Sequence, residues 1–455
     1  TMMVKTSDSE PIIYDFFVDT PKSCTTENID FYSTTIDFGD SKQLFHIGKG
    51  SVAVPGNLAG LIRVHNDLGT LPLSTILEPA IDLAREGYIL NKEQAYIFKI
   101  LQPIFTHTKL AKQLLYKDNC PLSEGDKFIN IEFANFLERV LKEGIEFFYK
   151  GQVAKLIEKS LSNGGLLNVE SLKNYQVKIR KPVSTLFQSH RIYSNPSPSA
   201  GGSLIIFLIK ILENIDKNNY SLPNLVNAMA LTNTARGEIC NDANNTIQFN
   251  KLLDDKIIHN FLNKNLLKTL DKKHDNDNPS RGCTTHVSVI DKNQNCASVT
   301  TSNGEGSGYM IPGTGIMLNN MLGEEDLNPQ GFHNWNYQRR LSTMMSPTIV
   351  TLKGKPKIII GSGGSNRIRS AIVQVLINYI YNGMSLNASI ESSRIHLENN
   401  NLYYEPGIDI VENKLIDDLT YYPFDDKNLF FGGVNAVTLN DAHSDSRRGG
   451  FSKVI

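Results

Sequence analysis

Residues 271–283, "DKKHDNDNPSRGC", contain no large aliphatic or aromatic side chain. Nothing in that stretch can anchor a core, so it reads as a break between two differently built parts of the chain. Beyond it the pattern is that of strands. "TTHVSVID" alternates, "KNQN" is a turn and "CASVTT" returns, which predicts a hairpin. "SPTIVTL", "KGKP" and "KIIIG" predict a second one, running into "SGGSN" and then a helix. In that helix Ile368, Ile372, Val375 and Tyr379 recur at helical spacing and Gly383 follows the end.

Ahead of the break the chain reads mainly as helices with short strands between them. "LSTILEPAIDLAREGY" places Ile76, Leu77, Ala80, Ile81 and Ala84 on one face and stops at Gly87. "IEFANFLERVLKEG" and "QVAKLIEKSLSNGG" repeat the pattern, and "PSPSAGGSLIIFLIKILENI" is a Pro/Gly turn opening an apolar helix. The first residues read as a strand. Strand pairs joined by tight turns, with helices in both halves, predict a layered α/β arrangement around antiparallel sheet.

Of the 455 residues 40% are hydrophobic and 20% charged, enough for a sizeable core in one large domain or a few smaller ones. The 46 basic and 47 acidic residues nearly cancel, which gives no electrostatic reason to expect a nucleic acid or an anionic membrane as partner. No apolar run reaches the roughly 18 residues of a membrane span. Cys24, Cys120, Cys240, Cys283 and Cys296 are scattered without CxxC or metal-ligand spacing, which fits a reducing compartment, the cytoplasm, better than a disulfide scaffold. The opening lacks the basic-then-apolar pattern of a signal peptide. It begins with Thr and not Met, however, so an earlier segment and a periplasmic destination stay open.

Thr284 opens the first predicted hairpin. A threonine hydroxyl needs a base close by to act as a nucleophile. If the Cys283–Thr284 bond is broken, Thr284 gains a free α-amino group of pKa about 7.7–8.0, and one residue then carries both nucleophile and base. On local sequence alone, β-branched residues opening a strand is the stronger reading of Thr284 and Thr285. "GSGG", residues 361–364, ends a strand and opens a helix, the geometry of an oxyanion hole; a phosphate cradle or a plain turn competes with it. "SNGEGSG" places Ser302 and Asn303 after the returning strand, near Thr284, or is simply a polar loop. Glu324, Glu325 and Asp326 cluster as a solvated face or as a pocket for a cationic amino group. His286 reads as a strand residue with its ring hydrogen-bonded.

In order along the chain, "SVAVPGNLAGLIRVHNDLGTLPLSTILEPAIDLAREGY", "FYKGQVAKLIEKSLSNGGLLNVESLKNYQV", "NPSPSAGGSL", "TTHVSVIDKNQN", "IPGTGIMLNN", "LSTMMSPTIV", "GSGGSNRI" and "SDSRRGG" resemble the γ-glutamyltranspeptidase family of N-terminal nucleophile hydrolases. The resemblance implies a four-layer αββα sandwich with antiparallel-rich sheets, made as a precursor that cuts itself before Thr284. The products would be a large region, 1–283, and a small one, 284–455, held together as a heterodimer. It implies no metal or organic cofactor and a small γ-glutamyl or related amide as substrate. Thr284 matches the nucleophile, Gly363 and Gly364 the oxyanion-hole glycines, and Ser302 and Asn303 the polar pair beside the nucleophile. Glu325 or Asp326 falls where a carboxylate grips the substrate's α-amino group, and Ser342 and Thr343 where hydroxyls hold its α-carboxylate.

Three departures stand out. Where the family reads D-F-R-E-x-A-P this chain has "DFFVDTP", so Phe17 replaces the arginine that clamps the glutamate carboxylate. The loop "LGEEDLNP" is longer than the family's, with Met321 where a Gln is common. Family members also carry further residues ahead of "MMV", which predicts an exposed strand edge near the beginning here. A related acylase with a non-glutamyl substrate, and a catalytically silent homologue, are the alternatives.

Overall fold

The computed structural model describes residues 1–22, 27–37, 42–240, 248–263, 284–410 and 419–455. The predicted break at 271–283, with Cys283, lies outside the described residues. Two compact units emerge: Thr1–Asp15, Ile179–Ser302 and Ser342–Ile455 form one, Phe16–Lys178 and Asn303–Leu341 the other.

The first unit is built on two sheets. Its strands, in chain order, are β1 (Met2–Lys5), β2 (Ile12–Asp15), β3 (Lys178–Arg180), β4 (Val183–Phe187), β5 (His190–Ser194), β6 (Thr285–Ile290), β7 (Cys296–Thr301), β8 (Thr348–Leu352), β9 (Lys355–Gly363), β10 (Gly433–Val437) and β11 (Ala442–Ser444). A five-stranded sheet runs β6-β7-β1-β2-β3 and a six-stranded sheet β4-β5-β8-β9-β10-β11. Both predicted hairpins are present, β6 with β7 and β8 with β9, each antiparallel.

The expected exposed edge at the first strand is not found. Met2 of β1 faces Val299 of β7 on one side and Tyr14 of β2 on the other, and the edges of that sheet are β6 and β3. The two sheets meet through Met3, Ile13, Cys296, Ile349 and Ile359, which strand alternation puts on facing sides.

The six-stranded sheet also packs against helices. Ile192, Val350, Ile358, Ile360 and Val434 share a core with α1 (Gly201–Asp216), α2 (Leu222–Cys240) and α3 (Arg367–Leu376). In α3 the predicted Ile368, Ile372 and Val375 are buried, and Tyr379 packs half-buried just past its end. Ile395–Glu398, Asn401–Tyr404 and Thr420–Pro423 add a small sheet with one parallel pair.

The second unit holds the helices predicted ahead of the break, Leu73–Glu86, Ile131–Glu143 and Gln152–Leu161, around Val140, Phe148, Ile157, Ile311 and Leu318. On Leu73–Glu86 the inward stripe is narrower than predicted. Ile81 is buried and Leu77 and Ala84 are half-buried, while Ile76 and Ala80 are exposed. Gly87, at φ +80, ends that helix as expected, its N–H donating to Leu83 O.

The units do not follow a division at 283/284. Strands on either side of that point are laddered to each other, as in Met2↔Val299 and Ile192↔Val350. Among the described residues no helix is long and apolar enough to cross a membrane.

Candidate active site

Thr284 stands immediately ahead of β6 and is half-buried. Thr285 faces Thr301 across the β6–β7 ladder, so Ser302 is the next residue along the strand that flanks Thr284. The end of β9 closes in from the other sheet, with Gly363 paired to Gly433 of β10. A Cβ on Gly363 would stand 2.2 Å from Thr284 O, and one on Gly364, at φ +120, would stand 2.9 Å from Gly432 Cα. No side chain fits at such distances from backbone, so the strand has to end on two glycines. Ser362 Oγ fixes their course, donating to Gly363 O at 2.8 Å and accepting from Gly433 N at 3.2 Å. Thr284, Ser302, Gly363 and Gly364 are thus brought together within the first unit.

His286, on β6, is a buried strand residue as predicted. Its Nδ1 lies 2.8 Å from Thr300 Oγ1 and its Nε2 2.8 Å from Ser288 Oγ. Gly361 makes room for the ring, since a Cβ there would come within 2.2 Å of it. Burial pushes the imidazole pKa down to about 3. The ring is neutral at working pH and already occupied.

Ser342 and Thr343 lie where "LSTMMSPTIV" meets "NPSPSAGGSL". Thr343 O accepts from Ala200 N at 2.9 Å, Gly201 N at 3.1 Å and Ser199 Oγ at 2.8 Å, while its Oγ1 accepts from Met345 N at 3.1 Å. These two motifs therefore fix each other and the start of α1. Ser342 is half-buried beside them.

The "SDSRRGG" segment carries a constellation that sequence reading left unassigned. Asp445 accepts from Arg394 Nη1 at 2.7 Å, Arg447 Nη1 at 3.1 Å and Val434 N at 2.9 Å. Arg447 Nε donates to Glu405 Oε1 at 2.7 Å, and both side chains are fully buried. Burial alone would raise the Asp445 carboxyl, but Arg394 and Arg447 hold it below its ordinary value. Four buried charges, two of each sign, lock the turn that presents Arg448. Arg448 lines a cleft of about 410 Å³ together with Thr284, His286, Asn435 and His443. Its only advance signal was its place in a family-like motif.

Asn303, Glu325 and Asp326 belong to the second unit. Asn303 Nδ2 donates to Met317 O at 3.2 Å. Glu325 is exposed and Asp326 half-buried. The carboxylates that interact closely there are Glu324 and Glu305, the latter in "SNGEGSG". Asn320 joins them, its Nδ2 donating to Glu324 Oε1 at 2.9 Å and its Oδ1 accepting from Glu305 N at 2.9 Å. Burial, then the Glu305 charge, raise Glu324 well above the ordinary carboxylate range.

A family model described as gamma-glutamyltranspeptidase matches residues 1–455. The chain is 28% identical over 424 residues to an Escherichia coli (strain K12) protein named glutathione hydrolase proenzyme, covering 87% of this chain and 72% of that one. It is 28% identical over 438 residues to the Bacillus anthracis capsule biosynthesis protein CapD proenzyme, covering 93% and 78%. In fold it superposes on a cephalosporin acylase from Bacillus halodurans with a TM-score of 0.82 at 20% identity, over 98% of this chain and 85% of the other. The layered sandwich of mixed helix and antiparallel sheet is the fold they share.

Proposed function

The chain belongs to the γ-glutamyltranspeptidase family, and on that premise we propose that it is an autoprocessing acyltransferase and amide hydrolase. Its substrate is a γ-glutamyl amide of the glutathione type. The Cys283–Thr284 bond opens, and regions 1–283 and 284–455 stay together as a heterodimer through ladders such as β1–β7 and β5–β8.

The Thr284 hydroxyl then attacks the substrate's γ-carbonyl and passes its proton to the Thr284 α-amine. The oxyanion develops against the Gly363–Gly364 backbone, with Ser302 and Asn303 orienting the nucleophile. Collapse expels the leaving amine, which takes the proton, and leaves an ester on Thr284. Water or a second amine attacks that ester, releases the acyl group and restores the hydroxyl. Glu325 and Asp326 hold the substrate's α-amino group, Ser342 and Thr343 its α-carboxylate.

What supports this reading most is the approach of Gly363 to Thr284, which leaves a gap only glycine can line. The intact mass of the purified protein tests it, alongside turnover of γ-glutamyl-p-nitroanilide. Two fragments meeting at 283/284 and a working anilide assay are expected. A single uncut chain that still turns over substrate would refute the scheme.

Phe17, in place of the clamp arginine, favours one second reading, an acylase for non-glutamyl amides. Faster release from other acyl anilides than from the γ-glutamyl one would select it. The scattered cysteines, of which Cys240 and Cys296 are buried thiols, fit a cytoplasmic setting.

A further inference from the structure

Among the described residues β6 is an edge strand, laddered to β7 on one side only. Carbonyls on its other side have no strand to pair with, and a carbonyl kept from water needs another donor. Residues two apart along a strand turn their backbone groups the same way. Thr284 O and His286 O therefore share a side, and each meets the six-stranded sheet. Thr284 O meets Gly363 of β9, where a Cβ would stand 2.2 Å away. His286 O meets the side chain of Asn435 on β10, whose Nδ2 donates to it at 3.0 Å.

The surroundings of Asn435 are cut to fit this contact. In the ladder it pairs with Gly361 of β9 and Ser444 of β11. Gly361 makes room for the His286 ring, and Gly450 makes room for the carboxamide, since a Cβ there would lie 2.8 Å from Asn435 Oδ1. Asn435 O also faces β6, accepting from Ser288 Oγ at 3.4 Å. The residue thus grips β6 at 286 and again at 288, and it lines the cleft that Thr284 lines.

We propose that Asn435 is a positioning residue for the nucleophile. Its carboxamide holds β6 where the Thr284 hydroxyl and the Gly363–Gly364 backbone reach the same substrate carbonyl. Asn435 touches no reacting atom and acts through His286 O, one strand repeat from Thr284. A shift of about 1 Å in that alignment is enough to cost about a hundredfold in rate. The assignment deepens the proposed function and rests on Thr284 being the nucleophile.

Kinetics of Asn435→Asp, Asn435→Ala and Asn435→Gln test it, with kcat taken per cleaved molecule from intact mass and folding checked by urea midpoint. An ionised Asp matches Asn in size but has no proton to donate, and it turns a negative oxygen toward His286 O. Ala adds neither charge nor bulk. In both, kcat on γ-glutamyl-p-nitroanilide should fall by about tenfold to a hundredfold, with KM within about twofold of wild type. Self-cleavage should slow in the same order. Gln carries the same donor on a longer stem and should run faster than Ala.

Wild-type kcat in folded Asn435→Asp or Asn435→Ala, a raised KM at unchanged kcat, or a Gln variant no faster than Ala would overturn the assignment. Any of these with an active wild type would sink Asn435 alone. A wild type that neither cuts itself nor turns over the anilide would sink the proposed function, and this assignment with it.

Discussion

Gly363 approaches the carbonyl oxygen of Thr284 so closely that an added methyl group would lie 2.2 Å from it. The obstacle is backbone, not the end of a flexible side chain, so it cannot swing aside. Gly363→Ala must displace either the start of β6 or the end of β9. Turnover should fall by about 10²-fold or more, the scale for losing an oxyanion donor. Gly237→Ala is the control. A Cβ there meets nothing within 4 Å inside α2, and the change should raise stability by about 0.5–1 kcal/mol while leaving kcat alone. Equal kcat in wild type and Gly363→Ala would remove the glycine pair from the mechanism.

Thr284→Ala removes the attacking oxygen, and without cleavage the α-amine is never freed. Both self-cleavage and anilide turnover should disappear, with the fold kept, since β6 pairing begins at Thr285. Thr284→Ser keeps the hydroxyl and the amine and should retain both activities at lower rate. Fragments at 283/284 in the alanine variant, seen by intact mass, would show that another group does the cutting.

The hairpin β6–β7 was legible because alternation bounded by turn residues has few other solutions, and β8–β9 because two short β-branched runs flank a Lys-Gly turn. The cluster at Thr284 was legible only through motif order, since a threonine opening a strand has no local mark of catalysis. The Arg394–Asp445–Arg447–Glu405 network was not legible at all. Its members come from three separate stretches, at 394, 405 and 445–447, and charged residues ordinarily signal surface, so nothing local announces that these four are buried. Glu305 was hidden for a similar reason, lying in a glycine-rich stretch that reads as a polar loop. The stripe on Leu73–Glu86 was read too wide because apolar residues at adjacent helical positions cannot all face one way. Ile76 and Ala80 are the ones left outside.

His286 makes a pH prediction. Its ordinary value is 6.5, and burial lowers it to about 3. Between those values the unfolded chain binds a proton that the folded one refuses, so acidification favours unfolding. Stability should therefore decline as pH falls from about 6.5 toward 3, by on the order of a few kcal/mol from this residue. His286→Gln should flatten that decline, which urea titrations at several pH values would show. The acid limb of kcat/KM should be unmoved by the same change, because the titrating base is the Thr284 amine. A limb that shifts with His286→Gln would instead give the imidazole a part in proton transfer.

The Arg447–Glu405 pair is the most demanding element of the C-terminal turn. Each side chain is fully buried, and Arg447 also reaches Asp445, Ile390 O and Ser392 O. Removing one partner leaves a charge with no water to return to. Glu405→Gln should cost about 3–5 kcal/mol, read from the urea midpoint at constant slope. Replacing both, as Arg447→Met with Glu405→Leu, should cost much less than the two single changes added, since no buried charge of that pair is then stranded. Additive costs in the double variant would mean that the pair is not coupled. The turn would then be held by the Arg394–Asp445 pair and its backbone hydrogen bonds.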